Sequence, residues 1–556
     1  MRDDNKKLAC RKTVSPTLTL FVILRMLAVE AENPRIDNLM DAIRLRGFRS
    51  LVDTGMLELK PITVIVGQNS SGKSTFLRSL PLIAQSIATR SNSPILWYGD
   101  FVDFGEIADV TSSFSEDGFV RIDISLGEEK NSRRYRMFLR RHPNFVTSYE
   151  IGISLRNSGG RTELAGFRIA SITDELIAEI KEKEITTIHV NGRDFSSMLR
   201  GVSAEISSKE FVPQVDYLQS GLDDEEILSF ATHLEPAIAM VTSEILGAMH
   251  GKTSRKTARE IAESLEYSPE PFFTERLRVV SNLKTWKTFT SKTNLASYQS
   301  RITRIRELLF LSDLPRTLEM LQRRVEVEAS GISYIGPARA HSERYYRIRE
   351  LAVDKIDPRG ENLAMFLNSL DELETRAFSS WLEARLGYAI KVFRNEGHIQ
   401  LHLREEGSNL FHNLADTGYG FSQILPVLAQ VWARGLGRGR PSMPATSVVA
   451  IEQPELHLHP AYQSALADIF ASSVSKNSAN DLVSGGNSKF IIETHSEALI
   501  NRFGELIFEG ELNAEDVVVY LFNKDDDSEE TSVSVARFDG EGLLVDWPSG
   551  FFSSKL

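Results

Sequence analysis

The amino-acid sequence predicts an α/β fold, a buried sheet covered by helices, with a long helical insertion between its two halves. Three observations carry that expectation. Ile62-Thr63-Val64-Ile65-Val66 is a continuous apolar, largely β-branched run that leads straight into a glycine-rich turn and a helix. Two more buried-strand candidates, Ser447-Val448-Val449-Ala450-Ile451 and Phe490-Ile491-Ile492, come much later in the chain. In the stretch separating the first from the others, apolar residues recur three and four apart, as in Leu176, Ile177 and Ile180 and in Ile302, Ile305 and Leu309, a helical spacing.

Taken in order, Ile43 to Gly67 alternates short apolar runs with turn signals at Asp53-Thr54-Gly55 and Lys60-Pro61, which predicts two or three strands. A helix from Lys73 to about Ala88 follows, then strand material such as Phe119 to Ile124. From about Leu164 to Ser330 the spacing predicts short helices broken by Pro213, Pro236, Pro269 and Pro315. Sustained heptads are missing, so a long coiled coil is not expected. Strands resume from Tyr334, and no repeat of fixed period is present.

Composition excludes several classes of function. The 556 residues are 42% hydrophobic and 25% charged, which describes a globular chain of several units rather than a multi-span membrane protein. Lys and Arg number 64 against 76 Asp and Glu, a net charge of −12, so the chain as a whole repels nucleic-acid phosphate and any contact needs a local basic patch. Cys10 is the single cysteine, which removes an internal disulfide and thiol-rich zinc sites together and points to a cytoplasmic setting. The apolar run Leu18 to Val29 is interrupted by Arg25 and is shorter than the ~20 residues a spanning helix requires, so no membrane span is expected. An amphipathic N-terminal helix, an over-long start and a signal peptide are the readings that remain for it.

Gly67-Gln68-Asn69-Ser70-Ser71-Gly72-Lys73-Ser74, followed by Thr75, fits G-x-x-x-x-G-K-[ST] and lies between a buried strand and a helix start, where phosphate binding demands it. Backbone amides and the helix N-terminus face the phosphates, Lys73 reaches the β and γ groups, and Ser74 ligates magnesium. The strand Val448 to Ile451 ends in Glu452, placed to hold the metal of a phosphate-loop ATPase through its water shell. Gln453 and Glu455 follow it. His457 and His459 lie two apart on an expected loop without a further ligand cluster, a weak zinc signal. The third buried strand runs into Glu493-Thr494-His495-Ser496, where His495 is suited to sense or polarise a terminal phosphate. Upstream, Asp416-Thr417-Gly418-Tyr419-Gly420-Phe421-Ser422-Gln423 precedes an apolar helix, and its Gly420, Ser422 and Gln423 are phosphate-binding candidates or a plain helix cap.

In this order, with an insertion after the first, these elements resemble an ABC-type ATPase head of the structural-maintenance kind, a two-lobed P-loop NTPase sheet. IGPARAHSERYY (Ile335 to Tyr346), DPRGENLAMFL (Asp357 to Leu367), DTGYGFSQILPVLAQ, IEQPELHLHP, ETHSEALI and WPSGFF (Trp547 to Phe552) narrow the resemblance to the AAA-like ATPase subunits of the bacterial anti-phage systems Septu and Septu-bearing retrons. It covers roughly Asp41 to Gly160 and Tyr334 to Phe552. The implied organisation is an N-terminal extension at 1–40, a first ATPase lobe at 41–163, a helical insertion at 164–330 and a second lobe at 331–556.

The resemblance implies ATP and Mg2+ as cofactors and a homodimer or higher homo-oligomer, the Gly67 to Ser74 loop of one copy facing the Gly418 to Gln423 segment of another. It also implies an HNH endonuclease partner and, in retrons, a reverse transcriptase with its RNA-linked DNA. Two departures stand out. GYGFSQ replaces the leucine-serine-glycine-glycine signature of transporters, and Gln453 occupies the position of the water-activating glutamate. An amide positions water but takes no proton, so hydrolysis is expected to be slow or to use Glu455.

Transporter, chromosome-organising and DNA break-repair roles fit less well, because the signature differs from that of transporters and the insertion lacks the heptads of the other two. A single-chain nuclease of the overcoming-lysogenisation-defect kind is the rival from another class. It needs a carboxylate-rich Toprim domain, for which the residues after His495 are too few, and Asp525-Asp526-Asp527 reads as a solvated turn. Arg301, Arg304, Arg306, Arg316, Arg323, Arg324, Arg339, Arg344, Arg347 and Arg349 form the densest basic stretch, either a nucleic-acid face or a solvated helix face.

Overall fold

The computed structural model describes residues 40–127, 148–199, 202–217, 234–249, 253–270, 272–291, 296–348, 353, 355–435, 446–474, 487–525 and 530–548. The run Leu18 to Val29, Arg349, Asp526, Asp527 and Phe551-Phe552 therefore lie outside the described residues.

Strands β1 (Met40–Phe48), β2 (Leu51–Asp53), β3 (Leu57–Glu58) and β4 (Ile62–Gly67) precede the helix Lys73–Ala88. Then come β5 (Phe119–Leu126), β6 (Tyr149–Ser158), β7 (Arg161–Ala170), β8 (Glu175–Lys181), β9 (Glu184–Val190), β10 (Arg193–Asp194), β11 (Val202–Glu205) and β12 (Gln214–Tyr217). Helices occupy the chain from Glu235–Ala248 to Leu314–Gly331, before β13 (Ile332–Ile335). A small antiparallel sheet follows, from β14 (Tyr346–Arg347), β15 (Tyr388–Asn395), β16 (His398–Glu405) and β17 (His412–Asn413). The helix Tyr419–Gly435, β18 (Thr446–Glu452), the helix Pro460–Val474, β19 (Asn487–Glu493) and the helix Glu497–Phe508 lead to β20 (Val517–Lys524), β21 (Thr531–Phe538) and β22 (Leu544–Val545).

The functional sheet has the order β13-β18-β19-β4-β20-β21-β22. Its first five strands are parallel. Alternate residues of these strands enter two different cores. Val64, Val449, Ile451, Ile492 and Val519 pack on one side with the helices Tyr419–Gly435, Pro460–Val474 and Glu497–Phe508. Ile65, Ala450, Ile491 and Val518 pack on the other with the helix Lys73–Ala88 and the antiparallel strands. Covering both faces is what makes these strands continuous apolar runs in sequence.

The α/β class and the strands expected at Ile62, Phe119, Ser447 and Phe490 are observed. The helical expectation for 164–330 holds only for its second part. Residues 161–217 continue an antiparallel meander, paired in the order β12-β11-β9-β8-β7-β6-β5-β1-β2. In β8, Leu176, Ala178 and Ile180 are buried while Ile177 is 42% exposed, a period of two. Leu176 and Ile180 lie four apart, a separation that returns to the same face of a strand and nearly to the same face of a helix, so spacing alone misassigns them. Pro236 and Pro315 do not break helices but stand in the first turns of Glu235–Ala248 and Leu314–Gly331. Proline is tolerated there because first-turn amides have no partner inside the helix. Among the described residues no helix is long and apolar enough to cross a membrane.

Candidate nucleotide site

The C-terminal ends of β18, β19 and β4 lie side by side, and a cavity of about 400 Å³ opens beside them. Asn69, Ser70, Ser71, Gly72, Lys73, Ser74 and Thr75 line it together with Gln453, Glu493 and His495. This is the strand-end crevice in which open parallel sheets bind ligands.

The loop's shape is set by two glycines. A Cβ at Gly67 would stand 2.2 Å from the Phe522 carbonyl oxygen, and Gly72 adopts φ 83° with Leu51 Cδ2 2.7 Å from where a Cβ would sit. Only glycine fits both places. Gly67 and Gln68 serve the loop through their carbonyls, both of which accept from Lys73 Nζ, the Gly67 bond at 3.0 Å. Lys73 is 4% exposed, and burial lowers its pKa while the Glu493 charge opposes that shift. Ser71, wholly buried, donates from Oγ to the Gln68 carbonyl at 2.8 Å and braces the loop.

The three strand ends contribute unequally. Glu452 is 2% exposed, and both its oxygens are engaged: Arg78 donates to them through Nε at 2.6 Å and Nη2 at 2.7 Å, and the Tyr334 hydroxyl donates to Oε1 at 2.8 Å. Its carboxylate is absent from the cavity lining, so the residue expected to hold the metal is bound instead to a guanidinium. Glu493, on the adjacent strand and in register with Glu452, does line the cavity and accepts from Ser74 Oγ at 3.0 Å. Burial, then the neighbouring Glu452 charge, push its pKa up to about 7.

Gln453 lines the cavity with φ 44° and donates its backbone amide to the Glu493 carbonyl at 2.8 Å, which ties the two strand ends together. Glu455 stands behind the cavity wall. Its Oε1 accepts from the His495 backbone amide at 2.7 Å, and burial raises its pKa, so it positions the His495 segment and does not face the cavity. His495 is exposed at the cavity, and desolvation followed by the Lys73 charge lower its pKa, which favours the neutral ring.

Gly420, Ser422 and Gln423 are not brought to this cavity. They begin the helix Tyr419–Gly435, where Gly420 lines a second cavity with Thr417, Gly418, Tyr388, His457 and Tyr462. A Cβ at Gly420 would meet the His457 carbonyl at 2.5 Å, and Ser422 is only 6% exposed. Gln423 is buried and donates to the Arg339 and Ala340 carbonyls at 3.4 Å each. Arg339 in turn donates to the Glu452 carbonyl at 2.8 Å and the Gln423 carbonyl at 3.3 Å, and so joins this helix to the end of β18.

Sequence reading missed Arg49, Ser50, Arg78, Tyr334 and Glu493 at this site, and took Arg339 only as part of a basic stretch. Only Glu493 had a local signal, since like Glu452 it ends a buried strand in a carboxylate. Much of the basic stretch is paired within the chain: Arg301 and Arg304 with Glu244, Arg306 with Asp174, Arg316 with Glu266, and at the surface Arg323 with Glu319 and Arg344 with Asp416, while Arg347 is exposed. Arg339 is buried, and Arg324 donates to the Gly127 carbonyl.

The family model described as AAA ATPase domain matches residues 40–500. No curated protein matches the chain in sequence. Among solved structures it is similar, at 12% identity and a TM-score of 0.34 over 90% of this chain and 98% of that one, to an Smc head bound to the C-winged helix domain of ScpA. It is similar also to the SMC head domain from Thermotoga maritima (11% identity, 89% and 98% covered, TM-score 0.33). An Smc head domain with a coiled coil and joint from Pyrococcus yayanosii gives 12% identity, 91% and 98% covered, and a TM-score of 0.33.

Proposed function

The chain belongs to the AAA ATPase domain family, and from that premise we propose that it binds and hydrolyses ATP with Mg2+ as the regulatory subunit of an anti-phage complex of Septu or retron type, controlling a separate HNH nuclease. The observation that carries the nucleotide reading is the single cavity in which Lys73, Ser74, Gln453, Glu493 and His495 meet under the phosphate loop. When bound, the metal supplies charge neutralisation for the β and γ phosphates. Lys73 binds the same phosphates, the loop amides orient them, and Gln453 holds the attacking water without removing its proton. Slow hydrolysis follows from that last feature.

The defence reading rests on the wording of the segments from IGPARAHSERYY to ETHSEALI. A second copy is part of the proposal, because Gly418, Gly420 and Phe421 line a different cavity from the phosphate loop of their own chain. The test is reconstitution with the product of an adjacent HNH gene. The expected result is that this chain alone, with Mg2+ or Mn2+, cuts neither DNA nor RNA, and that ATP changes the cutting by the pair. Metal-dependent cleavage by this chain alone, lost on substituting Asp525 to Asp527, would establish the single-chain nuclease instead.

A further inference from the structure

The parallel register sets Glu452 opposite Glu493 and Glu493 opposite Ile65, so the three strand ends step evenly toward the phosphate loop. Neighbouring strands lie about 4.8 Å apart, which puts β19 one spacing from β4 and β18 about twice as far. The nearer carboxylate belongs to Glu493. It is 3% exposed, one oxygen accepts from Ser74, and the other, Oε2, is buried with no hydrogen-bond partner among the described residues. A buried carboxylate oxygen without a donor is costly, and a cation beside it removes the cost.

Glu452 is in the opposite condition. A bidentate guanidinium and a phenol hydroxyl already satisfy it, and Arg78, on the helix that begins at Lys73, would have to leave before a metal or a metal-bound water could take its place. Bidentate Arg–carboxylate pairs are among the stronger ones, and breaking a buried pair leaves a charge unpaired. The donor set around Ser74 suits a small hard cation: a hydroxyl, a carboxylate and the phosphate oxygens of a nucleotide, with water filling the remaining positions.

We propose that Glu493, at the end of the strand beside the phosphate loop, is the carboxylate that holds the divalent cation with Ser74, and that Glu452 is a structural acid locked by Arg78 and Tyr334. This rests on the nucleotide reading of the cavity.

The experiment measures Mn2+ binding by electron paramagnetic resonance, with a non-hydrolysable ATP analogue present, on wild type, Glu493→Gln, Glu493→Asp and Glu452→Gln. Binding of the same analogue in EDTA is measured beside it. Glu493→Gln is expected to weaken Mn2+ by at least about tenfold, with metal-free nucleotide binding retained. Glu493→Asp, which keeps a carboxylate, recovers part of that affinity and serves as the variant of record if the amide fails to fold. Glu452→Gln is expected to change Mn2+ affinity less than Glu493→Gln. A larger loss from Glu452→Gln, or Mn2+ affinity unchanged in both Glu493 variants, overturns the proposal while leaving the nucleotide reading intact. Failure of wild type to bind the analogue, with or without metal, removes both.

Discussion

Strand β4 buries all six of its residues, whereas β8 in the meander buries only alternate ones and leaves Ile177 42% exposed. A strand covered on both faces has no side chain to offer along its length, so its chemistry is confined to its ends. That is where Glu452, Glu493 and the phosphate loop stand. The meander has an open face and meets the site at the turn between β1 and β2, through Arg49 and Ser50 in the cavity lining and Leu51 against Gly72 of the loop. It shares a hydrophobic core with the helix Lys73–Ala88 and the insertion helices, and a buried polar cluster adds to that link: Arg306 donates to Asp174 at 2.9 Å, and the Tyr267 hydroxyl donates to the same carboxylate at 2.9 Å. The difference teaches that the parallel sheet concentrates function at one edge, while the meander and its helices build support.

The strongest test of that division is Lys73→Ala. It should abolish ATP binding in calorimetry, because the lysine charge and the loop amides act together on the phosphates. Tight nucleotide binding by this variant would refute the assignment.

Next in size is a mixture of Lys73→Ala chains with Gly418→Arg chains. Gly418 is exposed with open space around it, so a bulky charge there should block the facing copy without unfolding its own. A head-to-head dimer leaves one site with both defects and one with neither, and up to half the sites of the heterodimer should hydrolyse ATP. No recovery, in a mixture shown by mass measurement to contain the heterodimer, would sink the composite site.

For the support region, Asp174→Ala leaves the buried Arg306 guanidinium with the Glu270 carboxylate at 3.2 Å and takes the acceptor from the Tyr267 hydroxyl, and should cost about 3 kcal/mol in urea unfolding. A loss under about 1 kcal/mol would mean that the meander and helices are held together elsewhere. Within the sheets, Ile491→Ala removes a wholly buried side chain of β19 and is expected to cost about 2–5 kcal/mol, against under about 0.5 kcal/mol for Ile177→Ala on the open face of β8. Equal costs would contradict the two modes of burial.

Local pattern determined the parallel strands and the phosphate loop from sequence alone. A β-branched run followed by G-x-x-x-x-G-K-S fixes strand, turn and helix within a dozen residues, and Ile62 to Ser74 needs no distant contact to be recognised. The meander was legible only in part, because Leu176 and Ile180 satisfy both periodicities and only the pairing of β8 with β7 and β9 separates them.

Which carboxylate faces the cavity was not legible at all. Glu452 and Glu493 each end a buried strand, and their difference comes from strand order, which puts β19 and not β18 beside β4, and from Arg78 and Tyr334, which reach Glu452 from 374 and 118 residues away. Such contacts leave no periodic trace in the chain. They exist only once the sheet has closed, which is why tertiary structure alone decided how the acids of this site are used.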